Sequence, residues 1–240
     1  MLTVRAILFW LVMFAATLII APLVVLSFPL PFHLRYATAR NWARLNLWAL
    51  RVICHIDYEV RGREHIPDQA SIIFCKHQST WETMALQAIF PPQVWVMKRE
   101  LLRIPFFGWA LAMLEPIAID RSAGRQAVNQ LVDQGKQRLA HGRWVVVFPE
   151  GTRVAPGSRG RYKIGGAVLA EQSGALVVPV AHNAGVYWPR HSFIKHPGTI
   201  QLVIGPPIDT QGKRAADILQ QAEEWIESTV TQLGPAKPSA

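Results

Sequence analysis

Apolar and polar positions divide the chain into two unlike parts. From Ala6 to Phe32 (AILFWLVMFAATLIIAPLVVLSFPLPF) 27 residues pass without a charge, more than the 18 or so apolar positions that mark a candidate membrane span. Pro22, Pro29 and Pro31 interrupt the run, and a proline inside a helix removes a backbone donor and crowds the preceding turn. The unbroken piece, Ala6 to Ala21, holds 16 residues, about 24 Å of helix against a ~30 Å hydrocarbon core. Three readings stand open: a spanning helix, a helix that enters the bilayer, breaks at the prolines and returns, and a secretory signal peptide. The last is least favoured, because its apolar region normally runs only about 7 to 15 residues. In the next segment, RYATARNWARLNLWALRV, helical periodicity puts Arg40, Arg44 and Arg51 on one stripe, with Trp42 and Trp48 elsewhere. That suits a helix lying at a headgroup layer, or an ordinary surface helix. Positive charge follows the apolar run while only Arg5 and the terminus precede it, so the positive-inside rule assigns the rest of the chain to the cytoplasm.

Beyond residue 52 the pattern changes to short β-branched runs alternating with helical stretches. Strands are predicted at Ile56 to Arg61, Ser71 to Cys75, Gln93 to Met97, Ile117 to Asp120, Trp144 to Phe148, Leu176 to Ala181 and Thr199 to Ile204,. Helices are predicted at Thr80 to Ile89, Ala123 to Ala140, Ala167 to Ser173 and Ala215 to Thr231,. Such alternation indicates an α/β sheet flanked by helices. The 240 residues fit one such domain with an appendage: a membrane-inserting helical motif over 1–52, the α/β domain over 53–233, and a flexible tail over 234–240.

Composition adds a partner class. Lys and Arg number 25 against 16 acidic residues, a formal charge of +9, which favours anionic partners such as phospholipid headgroups, nucleic acid or phosphorylated substrates. Nine tryptophans and 50% apolar content lean toward a membrane surface, and no nucleic-acid recognition motif is present. Cys54 and Cys75 form no CxxC and have no metal-ligand cluster around them, so free buried thiols and no metal site are expected.

Three polar clusters fall at predicted strand ends: CKH at 75–77, IDR at 119–121 and FPEGTR at 148–153. Open α/β sheets bind ligands outside the carboxyl ends of their strands, so the three are expected to share a pocket. In FPEGTR, Gly151 allows a tight path that would leave amides facing an anion, and Arg153 offers a fork matching phosphate oxygens; a plain strand-to-loop turn is the alternative. Arg159, Arg161 and Lys163 form a second basic loop before Gly165 and Gly166. Arg121 is either a phosphate ligand or a salt-bridge partner of Asp120 or Glu115. In FCKHQSTWET, Ser79 to Glu82 fits a capping box, which accounts for Glu82 structurally but leaves His77 unexplained. With His77 in the loop and Glu82 in the first helical turn, the carboxylate could instead meet the imidazole and stabilise it as it takes a proton. No GxSxG, HExxH, P-loop or dinucleotide fingerprint occurs,, so direct transfer with His77 as base suits the inventory best.

The order of these motifs resembles the 1-acylglycerol-3-phosphate (lysophosphatidic acid) acyltransferases over about residues 50–180. Their Asn-His-x4-Asp motif is similar to KHQSTWE at 76–82, their Gly-x-x-Phe-Ile-x-Arg to EPIAIDR at 115–121, and their Phe-Pro-Glu-Gly-Thr-Arg is complete at 148–153; VVP at 177–179 and IPFFGW at 104–109 also match. Lys76 stands for Asn, Glu82 for Asp, and Glu115 and Ala118 for Gly and Phe. The resemblance implies a glycerolipid acyltransferase-like mixed sheet and an N-terminal pair of membrane-dipping helices. It also implies His77 as general base oriented by Glu82, and a phosphate site formed by Arg121, Glu150, Gly151, Thr152, Arg153 and Lys163. It implies no cofactor, with an acyl-CoA or acyl-ACP thioester as co-substrate. A lysophospholipid accepts the chain, phosphatidate is the product, and membrane phospholipids are partners. The expected location is a bacterial inner membrane with the catalytic domain on its cytoplasmic side. Another lysolipid acceptor, such as a lyso-ornithine lipid, and a non-enzymatic protein that binds anionic lipid are the competing readings.

Overall fold

A computed structural model describes residues 1–120 and 122–234. Two long helices lead: α1 (Leu2–Leu26) and α2 (Phe32–Cys54), packed against each other as a hairpin. Pro22 does not end α1, contrary to the sequence expectation. It sits in the last turn, where the bond lost is the one to the Leu18 carbonyl, and the helix needs only four more residues before the turn at 27–31 reverses the chain,. At 25 residues, α1 is about 37 Å long. Among the described residues it is the one helix long and apolar enough to cross a membrane.

One arginine of the expected stripe on α2 departs from it. Arg40 donates to the carbonyls of Gln87 and Phe90 at 2.8 and 3.0 Å, satisfying the carboxyl end of α3 (Trp81–Ile89),. Arg51 pairs with Asp57 at 3.1 Å. Arg44 and Arg51 of the predicted headgroup stripe are both exposed, and Arg44 has no ion pair among the described residues. Arg40 alone is drawn onto the protein, because α2 packs on α3 at that level.

The sheet follows the predicted strands closely: β1 (Ile56–Arg61), β2 (Ile72–Cys75), β3 (Gln93–Lys98), β4 (Ile117–Ile119), β5 (Trp144–Val147), β6 (Val177–His182) and β7 (Gly198–Ile204). Their order is β1-β7-β6-β2-β5-β3-β4. Every neighbouring pair is parallel except β6 with β7, so the carboxyl ends of β2, β3, β4, β5 and β6 share one edge. Both faces are covered. Ile73, Cys75, Val146 and Val178 join α2, α3 and Phe9 of α1 in one core. Ile72, Phe74, Val145 and Val177 face the other, with α5 (Arg125–Ala140), α6 (Gly165–Ser173) and α8 (Ala215–Leu233). This burial on both sides is why the central strands read as continuous apolar runs. Two short helices were not foreseen, α4 (Phe107–Met113) and α7 (Ala184–Tyr187); seven and four residues are too few to show a helical period. The hairpin is continuous with the α/β domain: α2 runs to Cys54, two residues past the expected boundary, and Phe9 packs on Trp188. Most of the expected tail, 235–240, lies outside the described residues, as does Arg121.

Candidate active site

β2 ends at Cys75 and α3 starts at Trp81, so His77 stands in the loop between them. The chain folds back there, and His77 Nδ1 lies 2.8 Å from Glu82 Oε1. The same oxygen accepts the backbone N–H groups of Gln78 and Ser79, at 3.0 and 2.8 Å. The capping box is thus half formed as expected: Glu82 reaches the Ser79 amide, but Ser79 Oγ accepts from Trp81 rather than from Glu82. With Nδ1–H donating to the carboxylate, Nε2 carries the free lone pair. The imidazole lies flat on Phe148, ring centroids 3.9 Å apart and planes 13° off parallel, which fixes where that lone pair points.

Behind Glu82 stands a second histidine. His182, fully buried at the end of β6, donates from Nε2 to the Lys76 carbonyl at 2.8 Å and accepts the Ala184 amide at Nδ1. Burial lowers its pKa, with Glu82 and the Lys76 carbonyl pulling the other way,. Its Nε2 is 3.9 Å from Glu82 Oε2. Burial opposes ionisation of Glu82, yet His182, the His77 bond and the Ser79 amide together hold the carboxyl below its usual range.

Lys76, also fully buried, points to the opposite side. Its ammonium lies 2.6 Å from Glu227 on α8 and 3.4 Å from Glu150, and Tyr162 donates to the same Glu227 oxygen at 2.9 Å. Glu150 in turn accepts the His77 backbone N–H at 3.4 Å. One ammonium serves two carboxylates, and the nearer, Glu227, takes most of it. Burial pushes the Glu150 carboxyl up to about 7, with Lys76 and the His77 amide pulling the other way,. Lys76, Glu227 and His182 were missed as site residues. The available signals were a charge inside a strand-to-loop run that is otherwise apolar, and a histidine closing an apolar strand just as His77 does.

The expected anion ligands fall on two sides of the Phe148–Arg153 loop. Arg153 donates from Nε to the Ser79 carbonyl at 2.7 Å, which ties the two loops together, and its guanidinium borders a cleft shared with His77. Lys163 borders a smaller recess of about 160 Å³ beside the start of α6, together with Gly151. Thr152 is exposed between them. Gly151 does not present its amide to an anion: that N–H closes a turn on the Phe148 carbonyl at 2.9 Å. Its φ of +67° suits glycine, and a Cβ there would meet Lys163 Nζ at 2.8 Å, so its contribution is the space through which the lysine passes. Arg159 is committed to Glu223 on α8 at 2.7 Å. Glu150 turns its carboxylate inward, toward Lys76.

The cleft in front of His77 measures about 470 Å³ and is mainly apolar, within the size range of small-molecule sites. Thr17, Ile20 and Val24 of α1 form one wall, and Phe107, Ala110 and Leu111 of α4 another, with His77, Thr80 and Arg153 at its polar end. Cys75 is no nucleophile for it: burial and the neighbouring Glu82 and Glu150 push its thiol well up,. Cys54 is likewise free and buried. Among the described residues no group of three or more His, Cys, Asp or Glu side chains could hold a metal ion.

The Acyltransferase family model matches residues 57–183, from β1 through the residue after His182. A 1-acyl-sn-glycerol-3-phosphate acyltransferase of Pseudomonas aeruginosa is 47% identical over 237 residues, 97% of this chain and 92% of that protein. The chain belongs to the 1-acyl-sn-glycerol-3-phosphate acyltransferase family. A mouse member, the alpha form, is 30% identical over 78% of this chain and 67% of its own length. The crystal structure of the 1-acyl-sn-glycerophosphate (LPA) acyltransferase PlsC from Thermotoga maritima has the same fold, with a TM-score of 0.79 over the whole of both chains at 22% identity. Within this acyltransferase the substitution of Glu115 for the motif's glycine has a physical explanation. Its φ is +52°, a conformation natural to glycine and costing other residues about 1–2 kcal/mol. Arg35 and Arg143 grip its carboxylate at 2.7 and 3.1 Å, and Arg138 donates to its carbonyl at 2.8 Å, holding the strained residue in place.

Proposed function

We propose that the protein transfers a fatty acyl chain from an acyl-ACP or acyl-CoA thioester to the sn-2 hydroxyl of 1-acyl-sn-glycerol-3-phosphate, giving phosphatidate. One observation carries the mechanism: an imidazole whose Nδ1–H is held by Glu82 and whose Nε2 faces an apolar cleft of acyl-chain character. His77 Nε2 takes the hydroxyl proton as the oxygen attacks the thioester carbonyl. The ionised Glu82 stabilises the imidazolium formed. The tetrahedral intermediate collapses with loss of the C–S bond, and His77 returns the proton to the departing thiolate. No covalent acyl-enzyme is needed.

Arg153 and Lys163, with Arg121, supply the positive charge for the glycerol phosphate, and Gly151 and Thr152 shape the loop between them. Glu150 serves this site indirectly, holding the His77 amide from behind. The chain works at a membrane through α1, whose contacts with Trp188, Trp42 and α4 along its length favour lying in one leaflet over spanning. A bacterial inner membrane with the catalytic domain on the cytoplasmic side is the location this reading entails.

The test is acyl transfer by purified protein with a labelled donor and a panel of acceptors. Lysophosphatidate should be used at least tenfold better than lysolipids lacking a phosphomonoester, since each well-made charged hydrogen bond contributes about 1.5–3 kcal/mol. Equal use of phosphate-free acceptors would overturn the choice of acceptor.

A further inference from the structure

From the end of β3 into the first turn of α4 the chain exposes large apolar side chains in quick succession: Leu101, Ile104, Phe106, Phe107 and Trp109. Phe106 and Trp109 are 65% and 50% exposed, their ring centroids 5.1 Å apart. Phe106 also holds a φ of +60°, a backbone conformation that bulky residues rarely adopt. Exposed apolar patches of this kind mark interaction surfaces.

The neighbours say what covers it. α4 packs on the end of α1, where Val24, Ala39 and Ala110 form one small core, and just beyond that contact the turn after α1 exposes Leu26, Phe28 and Leu30. The patch is therefore continuous with the apolar surface of α1. Lys98 and Arg103 flank it and are exposed, with Glu100 the one acidic residue among them. Paired aromatic rings beside basic side chains suit the boundary between headgroups and hydrocarbon. The cleft opens between the two elements, lined by Ile20 and Val24 on one side and Leu101 and Phe107 on the other.

We propose that the Leu101–Trp109 segment is a second membrane-inserting element, docking on an anionic bilayer beside the α1–α2 turn. Both walls of the cleft mouth then sit in the same leaflet, and a lysolipid slides in sideways without its chain crossing water. The proposal rests on the reading of the acceptor as a membrane lipid.

Phe106→Cys and, as a reference on α1, the exposed Leu18→Cys would each be labelled with an NBD fluorophore in the full-length protein, the native Cys54 and Cys75 being buried. On vesicles of equal parts phosphatidylcholine and phosphatidylglycerol, both labels should shift to the blue. A shift at position 18 with none at 106 overturns the second element and leaves the membrane reading standing; no shift at either overturns both. The double variant Phe106→Glu/Trp109→Glu, which alters no cleft-lining side chain, should bind those vesicles about tenfold or more weakly while turning over normally in detergent micelles. Unchanged vesicle affinity would contradict the proposal.

Discussion

Glu82 and Glu150 meet the same residue from different directions. Glu82 bonds the His77 ring at 2.8 Å, and Glu150 accepts the His77 backbone N–H at 3.4 Å. Both are buried, yet their surroundings drive them apart. Glu82 gathers three N–H donors on one oxygen and is held ionised. Glu150 shares one ammonium with Glu227 and is pushed up to about 7. Burial alone therefore does not decide the charge of a carboxylate beside His77; the charged and hydrogen-bonding groups around it do. Under the proposed mechanism Glu82 faces the imidazolium formed during transfer, and Glu150 anchors the loop behind it.

Breaking the anchor should have the largest effect. Lys76→Met leaves the buried Glu150 and the partly buried Glu227 without their shared ammonium, and should lower unfolding stability by about 3–5 kcal/mol, measured by denaturant titration in detergent. Adding Glu227→Gln should recover part of that loss; full additivity would mean that the two do not form one unit.

A pH titration of stability sharpens the contrast. The folded Glu150 carboxyl binds its proton more tightly than the unfolded one, so the folded state holds more protons between the ordinary 4.5 and about 7, and stability falls as pH rises through that window. The loss amounts to roughly 3 kcal/mol by pH 8. Glu82 has the opposite sign: its contribution is present above the ordinary carboxylate range and is lost as pH falls through its lowered folded value. Glu150→Gln should flatten the upper slope and leave the acid limb unchanged; a slope identical to the native protein's would remove Glu150 from the account.

The smallest effect is expected from changing the orienting group alone. Glu82→Gln should slow acyl transfer on the order of 10²-fold, the low end of what a positioned base supplies, whereas Glu82→Asp should keep most of the rate. If both variants merely lower the melting temperature and leave the rate intact, capping was the whole purpose of Glu82.

The same contrast shows what the sequence could reveal. The strands, the FPEGTR loop and the His77–Glu82 pair were legible because each leaves a local signature: an apolar run, a turn glycine, a carboxylate three residues after a serine. The partners of Glu150 were not, because Lys76 and Glu227 are 151 positions apart and only the packing of α8 behind β6 brings them together. Charge spacing misled in α2, where Arg40 caps α3 instead of facing lipid, since periodicity shows that residues share a face but not what that face meets. Pro22 misled because its cost depends on distance from the helix end, which the apolar run conceals.

The central claim is that His77 is the base. The most direct measurement is the acyl-transfer rate of His77→Ala on vesicles carrying lysophosphatidate and a labelled thioester, with vesicle binding recorded in parallel. A fall of about 10²- to 10⁴-fold in rate with binding unchanged is the result this account predicts. Native turnover by the variant would contradict it.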